Sequence, residues 1–344
     1  MYESFFKLER NPFSMTPDPR FLYFTRSHEE ALAGLLYAVH RRKGFMVLTG
    51  DAGTGKTSVL AAVLESFVQS EVLTSFIVNP TLTASEFLEM VLLDFGMEAV
   101  PDSKARRLNC LHNILFETAG EGKVAVLVVD EAQQMDPALL EEVRLMGNLE
   151  GPFGKFLQIV LVGQNELNAI LDRSDLRQLK QRIAVRVRLE PLTAAQVPEY
   201  IDYRWNAAGG EGNAPFAPEA LKLITLISAG IPRVVNGICD NALLTAFAET
   251  RRTVSEQDIF DVAVDLCLSP VDPMSSASLP NGDEIKSLLL RESQLARVQA
   301  APWASLALPT IDDIGDNPEL PLSVRWASRL GIRVRSKRSN EQTV

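Results

Sequence analysis

The chain has 344 residues, 46% of them hydrophobic and 23% charged, with a formal net charge of −10. That is enough chain for one large domain with an appendage or for two ordinary domains, and the apolar fraction excludes wholesale disorder. The acidic balance excludes a protein that binds nucleic acid with its whole surface.

No window approaches the roughly 18 uninterrupted apolar residues of a spanning helix. Met1 to Arg10 mixes charges with aromatics in an order unlike a signal peptide. Cys110, Cys239 and Cys267 are too far apart for a disulfide framework or a zinc set. A soluble, cytoplasmic protein is the expectation.

In chain order, an aromatic segment over Asn11 to Tyr23 comes first, and it reads either as a plug against a sheet or as a wrap around a nucleotide base. Short apolar runs then alternate with helical patterns. The runs are Phe45 to Thr49, Thr74 to Val78, Val124 to Val129, Leu157 to Val162 and Ile183 to Leu189. This alternation predicts an α/β fold with a parallel sheet covered on both faces. Ser27 with Glu30, Thr83 with Glu86, and Thr193 with Gln196 read as capping boxes, and Asp136-Pro137 as an N-cap followed by a first-turn proline.

After Pro191 the strands stop and four helical patterns follow, broken at Gly209-Gly210 and Gly230-Ile231-Pro232. The expected domains are a nucleotide-binding α/β domain over 1–191, a helical lid over 192–268 and a mostly irregular tail over 269–344. The tail is proline-punctuated and charge-sorted, with Asp312, Asp313, Asp316 and Glu319 preceding Arg325, Arg329, Arg333, Arg335, Lys337 and Arg338.

The strongest chemical signal is Gly50-Asp51-Ala52-Gly53-Thr54-Gly55-Lys56-Thr57, followed by Ser58 at the start of a helix. Strand, glycine loop, Lys-Thr and helix form a P-loop: inward backbone N–H groups cradle phosphates, Lys56 reaches the β- and γ-phosphates of ATP, and the Thr57 hydroxyl ligates Mg²⁺. A second apolar strand ends in Asp130-Glu131. Carboxylates at the C-terminal edge of a parallel strand face the ligand crevice; Asp130 suits the Mg²⁺ shell and Glu131 the polarisation of the attacking water. Gln164, at the end of the next strand, is placed for the γ-phosphate, whereas Asn165 reads equally well as a helix cap.

Arg177 and Arg182 lie in a basic helix before the last strand, where AAA+ ATPases send an arginine finger into a neighbouring subunit's site. The register of Arg182 to Glu190 is similar to that of the Holliday-junction branch-migration motor, which selects Arg182, with Arg177 second. Gly230-Ile231-Pro232-Arg233 resembles the sensor-2 element, in which a lid arginine contacts the γ-phosphate. Together these motifs resemble the AAA+ class.

The likeness extends further. Phe5-Phe6, Asn11-Pro12-Phe13, Thr16 to Tyr23, Asp130-Glu131-Ala132-Gln133, Leu161 to Gln164, Leu176 to Ile183 and Gly230 to Arg233 look like the secretion-associated ATPases of the ExeA/GspA type, over about residues 1–268. The module also resembles exosortase-associated ATPases and, more distantly, AAA+ regulators of transposition. Secretion members commonly continue into a membrane span and a peptidoglycan-binding region, which residues 269–344 do not resemble, and Asn165 stands where the family commonly has Pro.

The resemblance implies a Mg²⁺-dependent ATPase that forms homo-oligomers, with Arg182 acting in trans, and remodels or recruits a partner of an export system. The alternative is an ATP-switched DNA-binding regulator using Arg41-Arg42-Lys43, Lys104-Arg106-Arg107 and the terminal basic block. That block could equally give weak membrane-surface contact, and solvated surface charge is the plainer account of all three patches.

Overall fold

The computed structural model describes residues 1–15, 19–69, 72–152 and 154–268. The expected tail lies outside the described residues. The strands are β1 (Phe45–Gly50), β2 (Leu73–Ile77), β3 (Ala125–Val129), a two-residue hairpin of β4 (Glu150–Gly151) and β5 (Gly154–Lys155), β6 (Leu157–Gly163) and β7 (Ile183–Leu189). Five of them form a parallel sheet in the order β2-β3-β6-β1-β7. The fold is thus the expected P-loop parallel sheet with helices, followed by helical structure.

The chain divides into two compact units. One holds residues 26–51 and 56–189. Every position of β1, β3 and β6 is buried, as a sheet covered on both faces requires. On one face, Phe45, Val47, Leu127, Val129, Ile159 and Leu161 pack with Phe87, Leu111, Leu140 and Val143 from three helices. The alternate positions Met46, Leu48, Val126, Val128, Val160 and Val162 are equally buried and point to the opposite face. At the edge strand β2, the Asp94 carboxylate accepts from the Ser75 hydroxyl (2.8 Å) and from the Phe76 backbone N–H (3.0 Å).

Helix starts follow the expected chemistry at two of the four expected positions. Thr83 and Glu86 form a complete capping box, and Asp136 accepts from the Leu139 N–H at 2.7 Å ahead of Pro137. Thr193 and Gln196 exchange the expected pair of bonds, at 2.9 and 3.4 Å, but ahead of the helix rather than as its cap, because the helix starts at Gln196 with Ala195 at the N-cap. Ser27, however, is inside its helix rather than capping it, because the helix already begins at Arg26.

The second unit holds residues 1–25, 52–55 and the described chain from 190 on. Its helices are Tyr2–Phe6, Gln196–Ala207, Pro218–Ser228, Pro232–Ala248 and Glu256–Asp265. Here the structure corrects one of the two readings of the N-terminal segment, that of a plug against the sheet, and its place in the domain over 1–191. Tyr2, Phe6, Phe13 and Phe21 are instead buried in one core with Trp205, Phe216, Ile224 and Ile238.

Polar clasps explain this choice. Arg204 is buried, donates to the carbonyls of Pro12 (2.5 Å) and Ser14 (3.3 Å) and to the Tyr200 hydroxyl (2.9 Å), and lies over the Phe21 ring. Asp240 accepts from the Tyr2 hydroxyl and from Asn11 Nδ2 at 2.5 and 2.9 Å. At the last helix, Ser255 is the N-cap in a capping box with Asp258, whose carboxylate takes two bonds from Arg251 that hold it down to about 2.

Candidate nucleotide site

β1, β6 and β3 are neighbours in parallel register, with Phe45 opposite Ile159 and Val129 opposite Leu161. Their C-terminal ends therefore lie side by side, and these ends carry Gly50-Asp51, Gly163-Gln164 and Asp130-Glu131. A parallel sheet presents ligands with this edge, and the sheet order brings together three motifs that are far apart in sequence.

Lys56 opens the helix Lys56–Gln69, and its side chain is buried. Its ammonium donates to the carbonyls of Gly50 (2.8 Å) and Asp51 (2.9 Å). Burial pushes Lys56 below the usual lysine range, and the charges of Glu131, Asp130, Asp51 and Glu166 partly oppose that shift. Asp130 is also buried. Burial pushes its carboxyl up, a bond from the Glu131 N–H (2.9 Å) pulls it down, the Glu131 charge raises it and Lys56 lowers it. Thr57 is exposed and Ser58 half-buried in the first helical turn.

Glu131 has φ 51° and ψ 36°, left-handed values that cost a non-glycine residue roughly 1–3 kcal/mol. Strain of this kind persists where surrounding bonds over-determine the conformation. The Gln133 side chain supplies such bonds, since its Nε2 donates to Glu131 Oε2 (2.5 Å) and its Oε1 accepts from the Gln164 backbone N–H (3.1 Å).

Asn165, read beforehand as a possible cap, makes no side-chain cap bond to its helix; its Nδ2 donates to Asp51 Oδ1. That bond engages the one acid inside the glycine loop. Gln133 was assigned no role from sequence, and the bond of Asn165 to Asp51 was not foreseen. A glutamine two residues after the strand-end glutamate was the available signal for the first, and the acid inside the glycine loop for the second.

Ala52–Gly55 and Arg233 belong to the other unit. Gly53 has φ +83°, and a Cβ there would stand 2.6 Å from Arg233 Cβ. Only glycine suits both the backbone and the space. The Arg233 N–H donates to the Gly53 carbonyl at 3.4 Å, in the first turn of a helix opened by Pro232. Gly55 likewise has positive φ, and Thr54 is fully buried.

The two arginines before β7 differ. Arg182 is half-buried, its charge helps hold the carboxyls of Glu141 and Glu150 down, and its Nη1 is buried without a partner. Arg177 is exposed, with no side-chain hydrogen bond or ion pair among the described residues, and lines a surface depression of about 500 Å³ with Asp172, Arg173, Ser174, Lys180 and Gln181.

The basic patches are largely engaged within the chain. Arg107 is buried on the carbonyls of Pro101 and Ser85 and pairs with Glu89, Lys104 pairs with Glu142, and Arg42 donates to the carbonyls of Gly122 and Lys123. Among the described residues, no helix is long and apolar enough to cross a membrane.

A P-loop at the end of β1 and an acid pair at the end of β3, with β6 standing between the two strands, define a P-loop NTPase fold of the AAA+ class. A family model described as an AAA domain matches residues 39–171. The chain is 40% identical over 260 residues to general secretion pathway protein A of Aeromonas hydrophila, a match covering 75% of this chain and 47% of that protein. The chain's AAA+ module therefore belongs to the ExeA/GspA-like ATPases, and the match spans about half the length of that relative.

Solved structures agree on the fold. Cdc6p of Pyrobaculum aerophilum has a TM-score of 0.59 at 19% identity, with 74% of this chain and 70% of that one covered. The ORC2 protein of Aeropyrum pernix, in ADPNP-ADP complexes, has a TM-score of 0.57 at 17% identity, with 84% and 79% covered.

Proposed function

We propose that this chain binds ATP with Mg²⁺ and hydrolyses it in the cytoplasm, assembling through its nucleotide sites to recruit or remodel a partner of an export apparatus. The observation that carries the reading is the alignment of the P-loop, Asp130-Glu131 and Gln164 at the ends of three adjacent strands. Lys56 exchanges its two carbonyl partners for phosphate oxygens, which are charged acceptors and so stronger ones. Glu131 orients and deprotonates the attacking water, and Gln164 and Arg233 contact the γ-phosphate. Residues 192–268 act as the lid.

Thr57 and Asp130 would hold Mg²⁺. The donor set fits, because a hydroxyl in the first turn of the helix Lys56–Gln69 and a carboxylate directly after β3 are hard oxygen donors, and Mg²⁺ in such enzymes is bound mainly by phosphates and water with one or two protein oxygens. When bound there, the ion would supply positive charge to offset that of the phosphates.

For the finger in trans, Arg177 has more in its favour than Arg182, since an arginine facing a neighbour must be exposed and unengaged. The DNA-switch reading has less support, because Arg42, Lys104 and Arg107 are already partnered. The test is the mass in solution of the full chain with ADP, with a non-hydrolysable ATP analogue, and with analogue plus short duplex DNA. Growth with analogue alone is expected, and Arg177→Ala should abolish turnover while keeping analogue binding. A monomer in every state, with full turnover in both Arg177→Ala and Arg182→Ala, overturns the trans site. Further growth only with DNA favours the switch.

A further inference from the structure

Gln133 lies outside the roles above, yet it joins two of them. It sits in the short 3-10 turn Ala132–Gln134 that follows Glu131. Its amide has one side toward the Glu131 carboxylate, which only accepts, and the other toward the Gln164 N–H, which only donates. This fixes the orientation of the amide, because the reversed amide would face acceptor with acceptor and donor with donor. Space is made for it at Gly163, where a Cβ would stand 2.6 Å from Gln133 Oε1. The last residue of β6 is thus small where the amide passes.

We infer that Gln133 is a positioning residue: its side chain ties the carboxylate of Glu131 to the end of β6, so the orientation of the water-activating group follows the position of Gln164. The inference rests on the roles proposed for Glu131 and Gln164. Glu131 is held on a left-handed backbone with a single carboxylate oxygen committed to Gln133, and the other remains available for water. A shift of the β6 end when a γ-phosphate is bound reaches Glu131 through one side chain and two hydrogen bonds.

The test uses Gln133→Met, which keeps length and apolar contact but offers neither bond, beside Glu131→Gln and the double variant, all in the full chain. Steady-state ATP turnover, equilibrium binding of a non-hydrolysable ATP analogue and the melting temperature are measured for each. In Gln133→Met, kcat should fall about tenfold or more, with KM, analogue affinity and melting temperature close to wild type. The double variant should be no slower than Glu131→Gln, because Gln133 acts only through Glu131.

Wild-type kcat in Gln133→Met beside a slow Glu131→Gln overturns the tie alone. A double variant slower than Glu131→Gln, or a Gln133→Met variant that loses analogue binding or melts markedly lower, also overturns it. Wild-type turnover in Glu131→Gln, or no turnover in the wild type, overturns the proposed chemistry of the site and the tie with it.

Discussion

The two units treat buried charge in opposite ways. In the helical unit, Arg204 finds two carbonyls and a hydroxyl, and Asp240 receives two donors. Those groups hold a long N-terminal segment against two helices through bonds made within the chain. At the sheet edge, Lys56 rests on two carbonyls of its own loop, and burial disfavours the charged forms of both Lys56 and Asp130. Charges of the first kind maintain a fold. Those of the second kind are destabilised until an oppositely charged ligand arrives, which is what a phosphate and cation site requires.

Four experiments test that contrast. Glu131→Gln should lower kcat about a thousandfold with analogue binding retained, measured by turnover and titration. In the helical unit, Arg204→Met should cost about 3 kcal/mol of stability, because it leaves carbonyls of the N-terminal segment unpaired in a core. Denaturant unfolding measures the cost, and hydrogen exchange over residues 1–15 should rise.

Lys56→Ala should weaken ATP binding about a hundredfold, through loss of charge-assisted bonds worth about 1.5–3 kcal/mol. Its melting temperature without nucleotide should be no lower than wild type, since the buried ammonium is not a stabilising group there. A Lys56→Ala variant that unfolds like Arg204→Met would erase the distinction.

The smallest effect belongs to Asp258. Its carboxyl is held at about 2 in the folded chain, below the usual value near 3.9. The stabilisation is therefore complete above about pH 4 and is lost as pH falls through about 2. Asp258→Ala should cost about 2 kcal/mol at neutral pH, and variant and wild type should converge near pH 2 in acid-unfolding curves.

The sheet was legible because its signals are local. Continuous apolar runs identify buried strands, the glycine loop and Lys56-Thr57 follow one directly, and Asp130-Glu131 ends another. The expected strands agree with the observed ones to within a residue or so. The order β2-β3-β6-β1-β7 is a matter of pairing between distant segments, and it is what brings Gln164 beside Asp130-Glu131.

The N-terminal segment was misplaced for the same reason. Phe6, Phe13 and Phe21 announce burial but not a partner, and the clasp is supplied by Arg204 and Asp240, about 190 to 240 residues further on. Gln133 was passed over, and Asn165 was read as a cap rather than as the partner of Asp51, because an amide's role depends on what faces each of its two ends, and composition carries no such information.

The bonds from Ser75 and Phe76 to Asp94 bear on how copies of this chain can associate. An outer strand with an open N–H is a template on which a foreign strand can pair. Here a carboxylate occupies that position, and a strand approaching β2 would have to displace it and bring its own carbonyl beside the negative charge. Growth of one sheet into the next along β2 is therefore disfavoured, and this side of the fold resists fibre formation.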